Sequence, residues 1–148
     1  MNDIENIKNR LEICNEICEL KARHLRMLDT KDWAGYAALL TDDYEMDVSD
    51  GTSVPVIRGR EAALKQIQSS ILTAKTVHQA HMPEIEIDGD EARAVWALQD
   101  RVIWGPERAS ITGYGHYHER WVRRDGAWKL AALKLTRLHI DVHPPTGA

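Results

Sequence analysis

The chain has no stretch of clustered lysine and arginine, and its formal net charge at pH 7 is -4. A nucleic-acid-binding surface needs a basic stripe, so nucleic acid is not an expected partner. Also lacking is any apolar run long enough to cross a bilayer. The opening Met1-Asn2-Asp3-Ile4-Glu5 has neither the basic start nor the apolar run of a signal peptide, so a cytoplasmic, reducing location is the expectation. Cysteine is scarce: Cys14 and Cys18 lie four apart in a helical pattern. They read as small core residues on one helix face, not as a disulfide or a metal pair. There is no internal repeat and no low-complexity tract. Residues 1–142 read as one domain, and 143–148, rich in proline and glycine, as a loose tail.

What is present divides into two halves. Ile4, Ile7, Leu11, Cys14, Cys18, Leu25 and Leu28 recur at helical spacing and mark a long amphipathic helix ending near Asp29. Asp29-Thr30-Lys31-Asp32 reads as a break followed by a new N-cap. A second helix carries Trp33, Ala37 and Leu40 inward. Short strands follow at Tyr44–Val48 and 54–57, and a third helix presents Leu64, Ile67 and Ile71 on one face. From Thr76 the period changes to two. Residues 76–87, 92–104, 111–123 and 127–141 read as four long strands, with Asp88-Gly89-Asp90 and Asp125-Gly126 as hairpin turns. Helices first and long strands after predict an α+β fold: a curved antiparallel sheet forming a cone closed by N-terminal helices, with a ligand cavity on the concave side.

Strand alternation then places polar groups. Trp96, Leu98, Asp100, Val102 and Trp104 share one face, apolar except for Asp100. With a three-residue loop pairing Ile87 with Glu91, His78 falls opposite Asp100, at a separation a carboxylate and an imidazole can bridge. A two-residue turn, or a bulge at Pro83, shifts that register. In the last hairpin, Arg124 pairs with Ala127 and Tyr114 falls opposite Arg137. Tyr114, His116, His118, Leu133, Leu135 and Arg137 then share a face, while Tyr117, Trp121, Trp128, Leu130 and Leu138 share the other. A sheet apolar on both sides needs two partners, and a homo-oligomer, dimer or trimer, is the expectation. On the first helix His24 and Asp29 fall at its buried end, where polar groups are costly unless paired. His116-x-His118 has the spacing of metal ligands on a strand. Nothing completes a recognised set, so no metal is expected.

Three segments resemble the polyketide-cyclase-like (SnoaL-like) and scytalone-dehydratase-like branch of the nuclear transport factor 2-like superfamily. They are Lys21 through Trp33, Thr76-Val77-His78 with Met82-Pro83-Glu84-Ile85 and Ala94 through Asp100, and Gly113 through Tyr117 with Leu135-Thr136-Arg137. The resemblance implies a cone of curved sheet and a cofactor-independent acid–base enzyme. It also implies a catalytic histidine at His78, an orienting carboxylate at Asp29, a pocket arginine at Arg137 and a further acid at Asp100. His24 stands where the dehydratases have a tyrosine and the dehydrochlorinase a lysine. The Arg-x-Asp arrangement of the epoxide hydrolases is absent, the local sequence being Gln99-Asp100-Arg101.

The expectation is therefore proton abstraction by His78 from a small hydrophobic, ring-containing molecule, most simply as a dehydratase or other lyase. Tyr114, His116, Trp96, Leu98 and Trp33 are the expected substrate-binding wall. An isomerase or cyclase with a carboxylate base, and a non-catalytic binding or accessory subunit, are the alternatives.

Overall fold

A computed structural model describes residues 2–147. Three helices precede and interrupt one six-stranded sheet: α1 Asp3–Thr30, α2 Trp33–Ala38, β1 Leu40–Asp47, β2 Ile57–Arg58, α3 Arg60–Ile71, β3 Lys75–Asp88, β4 Glu91–Ile103, β5 Ser110–Arg124 and β6 Ala127–His143. The strand order is β2-β1-β6-β5-β4-β3. Every pairing is antiparallel except that of β1 with β6.

Asn2 caps α1 by accepting from the Glu5 amide. Its other end turns out through Lys31 at φ 61°, with the Asp32 amide donating back to the Met27 carbonyl. This left-handed exit is a common way to end a helix. Asp32 then caps α2 through the Gly35 amide, as the break-and-cap motif predicts. The buried stripe of α1 differs from the expected one: it is Ile13, Ile17, Lys21, His24, Leu25 and Leu28. Ile4, Ile7 and Leu11 are 78, 59 and 64 % exposed. The helix outruns the sheet, so its first turns have nothing to pack on, and the true stripe is rotated from the sequence pattern.

The β3–β4 hairpin reaches the expected pairing by another route. Its turn contains two residues, with Asp88 opposite Glu91, and this alone would move His78 out of register. A bulge between His81 and Glu84, with Met82 at φ 51°, moves it back, and His78 lies opposite Asp100. Two slips of one residue cancel.

The β5–β6 hairpin begins as expected, Arg124 opposite Ala127. Bulges then insert Ala131 and Leu138 into β6. The first carries Leu133, Leu135 and Arg137 to the face of Tyr117 and Trp121. It also places Gly115 opposite Arg137, and the second bulge places Tyr114 opposite His139. The expected Tyr114–Arg137 pair is thereby corrected. The concave core contains Trp96, Leu98, Tyr117, Trp121, Trp128, Leu130, Leu133 and Leu135, against Ile13, Ile17, Leu25 and Leu28 from α1. The tail read as loose is tied down: His143 ends β6, and the Thr146 and Gly147 amides donate to the Pro106 carbonyl at 3.1 and 3.3 Å. Among the described residues, no helix is long and apolar enough to cross a membrane.

Candidate active site

Between the concave face, α1 and α3 lies a cavity of about 290 Å³. Leu25, Leu28, Met46, Ile67, Ile71, Val102, Leu133 and Leu135 make most of its wall. The polar groups that reach it are His24, His78, Asp100, Arg137 and the tyrosines Tyr36, Tyr44 and Tyr117, with Gln66 and Ser70 from α3.

His78 comes from β3 and Asp29 from the last turn of α1. The His78 ring Nδ1 lies 2.6 Å from Asp29 Oδ1, and the His78 backbone amide donates to Asp29 Oδ2 at 2.8 Å. Thr76, two residues earlier on the same strand face, donates its hydroxyl to Oδ1 at 2.9 Å. Burial pushes the Asp29 carboxyl up. The hydrogen bonds from the His78 ring and amide, the His78 charge and Thr76 outweigh it and hold the group below the ordinary carboxylate value. An ionised carboxylate carries no hydrogen, so Nδ1 is the donor. The two side chains are 11 % and 21 % exposed.

Asp100, opposite His78 in the ladder, does not hydrogen-bond to it. Both its oxygens accept from Arg137, Nη1 at 2.8 Å and Nη2 at 2.9 Å. Asp100 is on β4 and Arg137 on β6, so β5 lies between them. The pair closes because two glycines of β5 lie beneath it. A Cβ on Gly113 would sit 2.0 Å from Arg137 Nη1 and 2.3 Å from Asp100 Oδ1. On Gly115 a Cβ would sit 1.9 Å from the Thr136 carbonyl. The backbone amide of Arg137, freed at the bulge, donates to Asp50 Oδ2 at 2.7 Å. The fork is planar and bidentate, the strong form of this contact.

His24 is 1 % exposed and stacks on Tyr36 with ring centroids 4.6 Å apart. Neither of its ring nitrogens has a partner among the described residues. Burial, then the positive charge of Lys21, then His78, hold it well below the ordinary histidine value. It is a neutral ring in the cavity lining, with both nitrogens buried. Tyr44 Oη and Arg137 Nε are likewise buried without a partner. Burial, ahead of neighbouring charges, pushes the Tyr44 and Tyr117 phenols well up, so both remain protonated.

Of the residues singled out from sequence, His78, Asp29, Asp100, His24 and Arg137 converge here. The expected wall does not. Tyr114 and His116 lie on the opposite face of β5 from Tyr117 by alternation, and the first β6 bulge moves Leu133, Leu135 and Arg137 from their side to the Tyr117 side. His116 and His118 face each other outside with centroids 6.3 Å apart. Trp96 and Leu98 are core, the Trp96 indole donating to Glu119, and Trp33 packs on the outside of the core. Among the described residues no cluster of three or more His, Cys, Asp or Glu could hold a metal ion. The cavity tyrosines were not singled out from sequence. Tyr117 was readable, since it alternates with Trp121 on one strand face.

A helix-capped curved sheet enclosing one mostly apolar cavity, with a carboxylate bonded to a histidine of its wall, defines a small-molecule-pocket protein. Residues 9–134 match the family model of the SnoaL-like domain, and the chain belongs to that family, within the nuclear transport factor 2-like superfamily. It is similar to the Probable cyclase FGR4 of Gibberella zeae, 24 % identical over 130 residues that cover 80 % of this chain and 87 % of that one. Among solved structures, a provisionally assigned scytalone dehydratase from Novosphingobium aromaticivorans superposes with a TM-score of 0.81 at 20 % identity, covering 95 % of this chain and 96 % of that one. Hexachlorocyclohexane dehydrochlorinase LinA-type3 from Novosphingobium barchaimii does so with 0.77 at 20 % identity, covering 90 % and 91 %.

Proposed function

We propose that this chain is a cofactor-independent acid–base enzyme acting on a small hydrophobic, ring-containing molecule, with His78 as general base and Asp29 as its orienting carboxylate. The observation that carries the reading is the 2.6 Å contact from Asp29 to the Nδ1 of His78, a residue in the wall of a mostly apolar cavity. Nε2 is left to accept a proton from carbon, and an imidazole suits that task near neutral pH.

In the lyase form, Nε2 takes a proton beside a carbonyl or a leaving group. The electron pair becomes a double bond, and hydroxide or halide departs. The leaving oxygen of a dehydration reclaims the proton from His78. Neutral His24 and the Arg137 cation, both in the cavity lining, are the groups that would stabilise negative charge developing on the substrate. Asp100 is a poor candidate base, because both its oxygens already accept from Arg137. The likeness to a cyclase by name favours a second reading: the carbanion closes onto a carbonyl of the same molecule instead of expelling a group. His78 does the same work in both.

The test is a panel of cyclic β-hydroxy ketones and open polyketone chains, followed by proton NMR for loss of water, ring closure or deuterium uptake at carbon in D2O. The expected result is turnover or exchange with one scaffold, lost in His78→Gln. A base limb near neutral pH supports imidazole, while one near pH 5 transfers the role to a carboxylate. Saturable ligand binding with no exchange, unchanged by His78→Gln, ends the enzymatic reading in favour of a binding module.

A further inference from the structure

Asp29 is gripped from a second direction. Lys31 Nζ donates to Thr76 Oγ1 at 2.9 Å, and Thr76 Oγ1 donates to Asp29 Oδ1 at 2.9 Å. Every link has one possible direction. An ammonium has only donors, a hydroxyl has a single hydrogen, and a carboxylate has none. Lys31 is the left-handed residue that ends α1, so the turn that closes the helix also brings its amine to β3. Oδ1 therefore accepts twice, from Thr76 and from the His78 ring, while Oδ2 takes the His78 amide.

We infer that Lys31 and Thr76 are positioning residues for the dyad: Thr76 by donating to Asp29 Oδ1, and Lys31 by donating to Thr76, keep His78 a neutral ring with its hydrogen on Nδ1 and Nε2 bare. A carboxylate beside an imidazole favours the imidazolium, which has no lone pair to accept a proton. A carboxylate whose charge is already shared with a hydroxyl and an ammonium favours it less. The other groups facing His78 are His24 on α1, Asp100 opposite on β4, and Arg137 on β6 in the same cavity. Arg26 and His81 face it from the cleft outside. Asp100 is neutralised by its fork with Arg137, and His24 is uncharged, which leaves Asp29 as the dominant field on the ring. The inference rests on His78 being the base, but its test does not need a substrate.

Chain labelled with nitrogen-15 in histidine is titrated by NMR, with His78→Gln assigning the ring signals. The expected wild-type pattern above the His78 midpoint is one tautomer, hydrogen on Nδ1. Thr76→Val and Lys31→Asn, the second accepting the left-handed backbone, are each expected to move that midpoint upward by roughly half a pH unit. Thr76→Ser returns it to the wild-type value. Midpoints within about a tenth of a unit of wild type in both Thr76→Val and Lys31→Asn overturn the proposal. So does a shift in Thr76→Val that Thr76→Ser fails to reverse, since that is packing and not the hydroxyl. Turnover retained in His78→Gln, with the midpoint shifts present, removes the base reading and leaves the brace standing.

Discussion

Two kinds of buried ion pair lie beneath this sheet, and they differ in what they face. Lys21 and Glu119 form a sealed pair whose side chains are 2 % and 0 % exposed. Glu119 Oε2 also accepts from the indoles of Trp96 and Trp121 at 2.8 and 2.9 Å, and the Lys21 ammonium lies 4.0 Å over the Tyr117 ring. Neither residue lines the cavity. Asp29–His78 and Asp100–Arg137 do the opposite, each putting at least one member into the cavity wall. The sealed pair has every polar atom engaged from inside the protein, whereas His78 and Arg137 reach the cavity wall and Arg137 Nε has no partner among the described residues. What separates the two kinds of pair is a place beside the cavity, not burial or charge.

The contrast breaks most sharply at the dyad. His78→Gln is expected to lower turnover roughly a hundred- to ten-thousand-fold, the usual worth of a positioned base, while circular-dichroism melts show a nearly unchanged fold. Equal losses of activity and stability would put His78 with the sealed pair.

Next in size, Lys21→Met leaves Glu119 buried without its cation and should cost about 3–5 kcal/mol in urea unfolding. The double variant Lys21→Met/Glu119→Gln should recover much of that loss, because no charge is then stranded. A single variant as stable as wild type would mean that the pair holds nothing in place.

Gly113→Ala presses a methyl into the Asp100–Arg137 fork and should cost about 1–3 kcal/mol. Activity should fall along with stability, since Arg137 must move. Full stability with full activity would remove the fork from the site.

The smallest effect separates the pairs by pH. His24 is neutral in the fold and titrates near 6.5 when unfolded, so below that pH the unfolded chain binds a proton the native one refuses. Stability should fall by up to about 1.4 kcal/mol per pH unit from 6.5 downward, and His24→Gln should flatten that limb. Asp29 has the usual carboxylate sign: its contribution is present above the unfolded carboxylate value and is lost as pH falls through its lower folded value. That loss begins below about pH 4 and adds to the His24 limb, which continues downward toward its own lowered value.

The fold was legible because hydrophobic period is a strong signal over strands this long. The element order, the Asp32 cap, the Arg124–Ala127 turn and the α+β assignment all followed from it. The shortfalls have a common cause. Bulges at Met82-Pro83, Ala131 and Leu138 each exchange the faces of a strand, and apart from Pro83 no residue type announces them. Tyr114 and His116 were assigned to the cavity for that reason, and Arg137 was matched to the wrong neighbour on β5. Lys21 was invisible for another reason: lysine in a helix reads as solvent-facing, and only Glu119, in step with Tyr117 and Trp121, hints at a buried partner. His78 and Asp29 were reached through family likeness. Spacing alone pointed His78 to Asp100, which is opposite it in the ladder and yet bonded elsewhere.

The bulge in β3 has a genetic corollary. Met82 and Pro83 together oppose Trp96, so deleting Met82 would set Pro83 against Trp96 and leave both halves of the ladder in their present pairing. Thr76, His78 and Ala80 would keep the face they share with Val102, Asp100 and Leu98. A single lost codon there would straighten the strand and still leave the imidazole in its pocket.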